Sequence, residues 1–169
     1  MSAAVLSIGS NVGDRVGFLR ACVQGLGGVL QGVSGVYETQ PWGGVEQGEF
    51  LNAVLLVEDP AADALDWLRR GQRCERAAAR TREVRWGPRT LDVDVIDVDR
   101  TRRDDPQLTL PHPHAHQRAF VLVPWLDVQP AAVLLGHGPV AQLVAALPDE
   151  QRAGVRRRDD LELSLPEAP

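Results

Sequence analysis

The chain of 169 residues contains no lysine; all 18 of its basic residues are arginine. That excludes a Walker-type phosphate lysine, a Schiff-base lysine and a lysine general base. Phosphate or carboxylate groups must therefore be met by arginine, backbone amides or a metal. A GC-rich coding sequence is the ordinary cause of such a replacement, and the chemical exclusion holds whatever the cause. Cysteine is nearly absent too: Cys22 and Cys74 are far apart, fit no metal or redox spacing, and read as buried free thiols. The apolar run at residues 119–126 falls well short of the ~20 residues that a membrane span requires. No basic region precedes the short apolar segment at the N-terminus, so no secretory signal is expected and the protein is placed in the cytoplasm. A net charge of −5 argues against a general nucleic-acid binder.

What is present is concentrated. Eight arginines lie between Arg69 and Arg89. They lead into Arg85-Trp-Gly-Pro-Arg-Thr-Leu-Asp-Val-Asp94, which packs two arginines, an indole and two carboxylates together. Gly87-Pro88 predicts a turn, and the β-branched residues at Val93, Val95, Ile96 and Val98 predict a strand over residues 91–98. Alternation along that strand places Asp92 and Asp94 on one face, with Leu91, Val93 and Val95 on the other. Two carboxylates so close repel unless a divalent cation or an arginine sits between them.

Elsewhere, a strand over residues 3–8 is followed by a Gly-containing loop and a helix over residues 15–26, closed by Gly27-Gly28. The loop is not GxGxxG, so a tight βα turn is expected rather than a dinucleotide site. Residues 29–38 predict a strand interrupted near Gly32 and Gly35, and residues 50–57 a central strand. Asn52 falls on the latter's buried face, where its amide bonds either backbone or the edge of a heterocycle. Trp42, in the loop between, is either a ligand lid or incidental packing. Asp59-Pro60 predicts the start of a helix. Its inward stripe, Leu65 and Leu68, turns polar at Gln72 and Glu75, which marks either an exposed helix end or a polar site.

A charged turn follows residue 98, then a brief strand at residues 108–110. Pro111-His-Pro-His-Ala-His116 is a possible metal cluster by its alternating histidines, but two prolines stiffen it and no cysteine is near. Residues 118–126 predict a helix or turn, residues 139–147 a short amphipathic helix, and the tail from about 150 to 169 is expected to fray. One domain over residues 1–169 is expected. The order of elements predicts an α+β fold: a ferredoxin-like α/β sandwich with helices packed on an antiparallel sheet.

The unusual groups point to phosphoryl chemistry with a planar second substrate. Paired carboxylates holding Mg²⁺ leave room for substrate phosphates. Arginine forks neutralise phosphate charge. Aromatics beside an amide suit a flat, hydrogen-bonding heterocycle.

Here a resemblance becomes specific. The stretch over residues 85–94 resembles the signature of the 6-hydroxymethyl-7,8-dihydropterin pyrophosphokinases of folate biosynthesis. Further pieces match in order: Ile8-Gly-Ser-Asn11, Tyr37-Glu-Thr39, Phe50-Leu-Asn-Ala53, Gln72 through Glu75, Arg80-Thr-Arg82, Leu110-Pro-His112 and Arg118-Ala-Phe120. The likeness covers about residues 3–147. It implies transfer of pyrophosphate from ATP to the pterin hydroxymethyl group, releasing AMP, by in-line attack on the β-phosphorus. Asp92 and Asp94 would hold two Mg²⁺ ions. Asp94 would also assist deprotonation of the hydroxyl, for which no dedicated base is evident. Arg80 and Arg89 match arginines near the phosphates. Gln72, Glu75, Arg82, Trp86, Arg89, His112 and Arg118 match the ATP site. Phe50 and Phe120 would sandwich the pterin, Asn52 would bond its edge, and Thr39, Trp42, Trp86 and Asp92 would complete the pocket. The implied fold is again ferredoxin-like, and the implied protein a cytoplasmic monomer.

Departures from the family pattern are Glu83 in place of a basic residue, a loop before Trp86 one residue short, Gln107 for a frequent arginine and Pro113 for a frequent aromatic. They bear on individual nucleotide contacts. Two rival readings are a catalytically dead ferredoxin-like module that senses a nucleotide or pterin, and a metallohydrolase using His112, His114 and His116.

Overall fold

The first strand, β1 (Ser2–Ser10), is buried over nearly its whole length. In the computed structural model it runs through the sheet interior. The structure describes residues 2–40, 48–78 and 90–165. Helix α1 (Arg15–Leu26) follows, capped by Asp14, whose carboxylate accepts from the Gly17 N–H at 3.1 Å. It stops at Gly27, where φ is +60°. The interrupted strand appears as β2 (Leu30–Val33) and β3 (Tyr37–Thr39). Ser34, in the break, keeps the ladder closed: its N–H donates to the Val54 carbonyl and its Oγ accepts from the Val54 N–H. Strand β4 (Phe50–Asp59) is long and buried on both faces, as its apolar pattern predicts.

Helix α2 (Ala64–Ala78) begins later than Asp59-Pro60 implies. Strand β4 runs on to Asp59, whose carboxylate accepts from the Ala61 N–H and pairs with Arg70. Asp63 and Asp66 instead form a reciprocal cap, each carboxylate accepting from the other's N–H at 2.9 Å. Strand β5 (Asp92–Val98) follows. The charged turn and brief strand become a small hairpin of β6 (Arg103–Asp104) and β7 (Thr109–Leu110). Then come α3 (Ala119–Val128), the pair β8 (Val133–Leu134) and β9 (Gly138–Pro139), α4 (Val140–Ala146), α5 (Asp149–Ala153) and β10 (Val155–Arg157).

The main sheet has the order β10-β3-β4-β1-β5, with β2 also pairing β4, and every pairing is antiparallel. This is the ferredoxin-like α+β sandwich. One face carries α1 and α2 over a core that includes Leu6, Ile8, Leu55, Trp67 and Val93. Trp67 is fully buried, and its indole N–H donates to Ser2 Oγ at 2.8 Å. The other face is covered by α3 and α4 around Val5, Val54, Ile96 and Trp125. A bulge joins these arrangements: Val5 faces Asp97 while Leu6 faces Val95, so Ile96 is the extra residue. The helical cover is built around Val5 and Val54. Further along the same face the register brings Ser7, Gly9, Asn52, Asp92 and Asp94.

The segment beyond Asp149, expected to fray, is docked as far as Leu163. Strand β10 pairs with β3, Arg156 and Arg158 form ion pairs with Glu38, and Leu163 is buried in the core beneath α1 and α2. Its basic sequence hides a strand because charge pairing, not apolar alternation, fixes it. Replacing Leu163 by Ala should therefore cost about 2–3 kcal/mol in a denaturant titration. An unchanged midpoint would show that the tail is not part of the core.

Candidate active site

Three strands align the site. Gly9 of β1 lies opposite Asn52 of β4 on one side and Asp92 of β5 on the other. Residues opposite one another share a sheet face. Gly9 is glycine for a spatial reason: a Cβ there would sit 2.8 Å from Asn52 Oδ1 and 3.4 Å from the Phe50 ring. The Asn52 amide and the Phe50 ring thus lie over bare backbone. The Asn52 amide donates to Thr39 Oγ1 at 2.7 Å, and both residues are buried. Phe50, at the start of β4, is half-buried.

Asp92 and Asp94 project from the same face of β5, opposite Gly9 and Ser7. Both are half-exposed, while Val93 and Val95, which alternate with them, are buried, as alternation predicts. Arg118, just before α3, brings its guanidinium within 3.7 Å of the Asp94 carboxylate and lies 5.5 Å from the centre of the Phe120 ring. Phe120 is half-buried in the first turn of α3. The arginine therefore links the acidic pair to one aromatic.

His112 is tethered to the same strand through its N–H, which donates to the Ile96 carbonyl at 2.9 Å. Its Nδ1 accepts from the His114 N–H at 3.1 Å, so the proton of the neutral ring sits on Nε2. Burial, then the charges of Arg118 and His114, hold its pKa down to about 4. A neutral Nε2–H donor is what the site presents at physiological pH. Glu75 reaches β5 from α2, and its Oε2 accepts from the Val93 N–H at 3.1 Å on the sheet's edge. Gln72 is exposed on the same helix, one turn earlier. Gln107 and Pro113 are both exposed. Trp42, Arg80, Arg82, Trp86 and Arg89 lie outside the described residues, as does Glu83.

The three histidines of the metallohydrolase reading do not converge. His116 stacks on His137 instead, with ring centroids 4.1 Å apart, and no cluster of three or more His, Cys, Asp or Glu suited to a metal occurs among the described residues. Two features escape the sequence reading. Gly9 enters it only as part of a matched motif, although a glycine inside a strand is itself a signal of close approach. The network in which Arg15 binds Glu38 at 2.8 Å and the Glu49 carbonyl at 3.0 Å, with Arg156 joining Glu38 to Glu49, connects residues with no sequence periodicity. It ties β10 and α1 to the start of β4, and Asn11 secures the same region by donating to the Gly48 carbonyl at 3.2 Å.

Comparisons with known proteins identify the family and the fold. The family model described as 7,8-dihydro-6-hydroxymethylpterin-pyrophosphokinase matches residues 5–130. A Mycobacterium tuberculosis protein named 2-amino-4-hydroxy-6-hydroxymethyldihydropteridine pyrophosphokinase is 52% identical, across 92% of this chain and 89% of its own. A Bacillus subtilis protein of the same name is 38% identical, across 74% of this chain and 77% of its own. In fold, the chain resembles the crystal structure of a Plasmodium falciparum HPPK-DHPS triple mutant, with a TM-score of 0.70 over 92% of this chain at 14% identity. The match spans only 46% of that longer chain. The matched family model and these relatives define a transferase of the diphosphokinase class. The chain belongs to the 7,8-dihydro-6-hydroxymethylpterin-pyrophosphokinase family, ATP-dependent transferases of folate biosynthesis.

The depressed pKa of His112 has a checkable consequence. The unfolded chain takes up its proton near pH 6.5 and the folded chain only near 4, so stability is fully present above 6.5 and falls as pH drops through that window. An NMR titration of the His112 ring should show a midpoint near 4. A midpoint at or above 6.5 would contradict the geometry.

Proposed function

We propose that the open face between Asn52 and Asp94 transfers pyrophosphate from ATP to the hydroxymethyl group of 6-hydroxymethyl-7,8-dihydropterin. The hydroxymethyl oxygen attacks the β-phosphorus in line and AMP departs. The observation that carries this reading is the pair Asp92 and Asp94 on one sheet face, opposite Gly9 and Ser7, with Arg118 3.7 Å from Asp94. The pair suits magnesium: two carboxylates are hard oxygen ligands, too few for an all-protein cage, which leaves coordination positions for phosphate and water. Two Mg²⁺ ions bound there would neutralise the ATP phosphates.

The chain's own residues orient the reactants. Asn52, fixed by Thr39, offers its amide to the edge of the pterin, and Phe50 and Phe120 supply apolar faces for its rings. Trp42, Trp86 and Asp92 complete that pocket in this reading. His112 donates from Nε2 toward the nucleotide, with Gln72, Glu75, Arg82, Trp86, Arg89 and Arg118 as further ATP contacts. Arg118 balances the charge gathered near Asp94. Arg80 and Arg89 approach the transferred group, and Asp94 assists deprotonation of the hydroxyl. Catalysis is then chiefly positioning and charge neutralisation. The enzyme works as a cytoplasmic monomer of one domain; no helix among the described residues is long and apolar enough to cross a membrane.

Incubated with ATP, Mg²⁺ and the reduced hydroxymethylpterin, the protein should yield AMP and the pterin diphosphate; formation of ADP would overturn the reading. Asp94→Ala should lower turnover by at least ~10²-fold with the circular dichroism spectrum unchanged. Near-normal turnover would reduce the pair to an edge-strand feature.

A further inference from the structure

Helices α1 and α2 lie side by side on one sheet face, and the chain's two cysteines, one on each, pack into the core they cover. Cys22 is 3% exposed, Cys74 is half-buried, and both are free. Each thiol lies near enough to the other to shift its protonation. They line an open groove of about 780 Å³ together with Phe18, Ala21, Ala77, Arg70 and Arg73. Nothing in the phosphoryl-transfer reading uses this groove or either sulfur.

We propose that Cys22 and Cys74 form a thiol–disulfide modification site. Cys74 attacks low-molecular-weight disulfides that enter the groove, and Cys22 resolves the adduct into a disulfide joining α1 to α2. The geometry assigns the roles. Cys74 is the more accessible sulfur, and Cys22 lines the same groove from the neighbouring helix, shielded from solvent. The surroundings favour the same order. The neighbouring Cys22 thiol, then the charge of Arg73, lower the Cys74 pKa to about 7, against opposition from burial and Glu75. The Cys74 sulfur beside it, then burial, raise the Cys22 pKa, so Cys22 is the proton-bearing partner of the resting pair. Arg70 at the groove is engaged by Asp59, and Asp14 lines the same groove, so Arg73 is the cation that acts on the thiolate.

The chemistry balances. The Cys74 thiolate attacks one sulfur of R–S–S–R; that bond breaks, and the departing thiolate takes a proton from water. Cys22 then attacks Cys74 Sγ and passes its proton to the second thiolate, which leaves as the thiol. Two protein thiols are oxidised and one small disulfide is reduced to two thiols. The new bond would clamp the last turns of α2, where Glu75 holds the Val93 N–H beside Asp92 and Asp94.

The test treats the folded full chain with hydroxyethyl disulfide at neutral pH and maps peptides by mass spectrometry without reduction. The wild type should yield the Cys22 peptide joined to the Cys74 peptide, and its melting temperature should rise by about 5–10 °C. Cys22→Ser, or Cys22→Ala if the serine variant folds poorly, should stop at the hydroxyethylthio adduct on Cys74. In Cys74→Ser, modification of Cys22 should be at least ~10-fold slower than the wild-type reaction. The absence of a joined peptide in the oxidised wild type would overturn the proposal. So would Cys22 reacting in Cys74→Ser as fast as the wild type does.

Discussion

The absence of a side chain at Gly9 is the constraint on which the site depends. Asn52 Oδ1 and the Phe50 ring occupy the space that a Cβ would fill. The antiparallel register then sets Asp92 directly across the same residue. In the proposed reading, the groups that would meet the heterocycle and those that would meet phosphate are thereby held on the two strands flanking β1, one interstrand spacing of ~5 Å to either side of Gly9. A sheet keeps such a distance because shifting one strand by a residue would turn every side chain to the other face. The geometry that the reaction needs is therefore stored in the hydrogen-bond ladders rather than in a loop.

The remaining structure protects that register. Helices α1 and α2 bury the opposite face, with Trp67 sealed against Ser2. Helices α3 and α4 cover only one region of the working face, where the bulge at Ile96 turns that residue toward Val5 and Val54. The start of α3 then delivers Arg118 and Phe120 beside the carboxylates. Strand β5 is an edge strand, and Glu75 satisfies one of its open N–H groups. On the far side, β10 closes the sheet through ion pairs to Glu38 and Glu49. At both edges of the sheet a charged side chain takes over where strand pairing ends.

Much of this was legible in the sequence, for identifiable physical reasons. Alternation alone placed Asp92 and Asp94 opposite the apolar face of their strand, and the apolar run at residues 50–57 marked a central strand. The start of α2 was misread because Asp59-Pro60 satisfies local capping preferences, whereas pairing with β1 holds that residue in the sheet and lets Asp63 and Asp66 make the cap. The tail was misread because Val155, Arg156 and Arg157 show no apolar alternation; their strand is fixed by partners more than a hundred residues away. The meeting of Cys22 and Cys74 is likewise tertiary, made only when two helices pack on one face. The shared location of Asn52, Gly9 and Asp92 needed the register itself, although the glycine within a strand was the available sign.

The central claim is that one sheet face holds two separable half-sites, a pterin seat at Asn52 and a metal–phosphate seat at Asp92 and Asp94. Calorimetry tests it directly, with hydroxymethylpterin and a non-hydrolysable ATP analogue plus Mg²⁺ titrated separately into Asn52→Ala and Asp94→Asn. The account predicts that Asn52→Ala weakens pterin binding by at least ~10-fold while nucleotide affinity stays within about two-fold. Asp94→Asn should lose Mg²⁺-dependent nucleotide affinity by a similar factor and leave pterin affinity little changed. If both variants lose both ligands equally, or neither loses either, the division of this face into two half-sites is wrong.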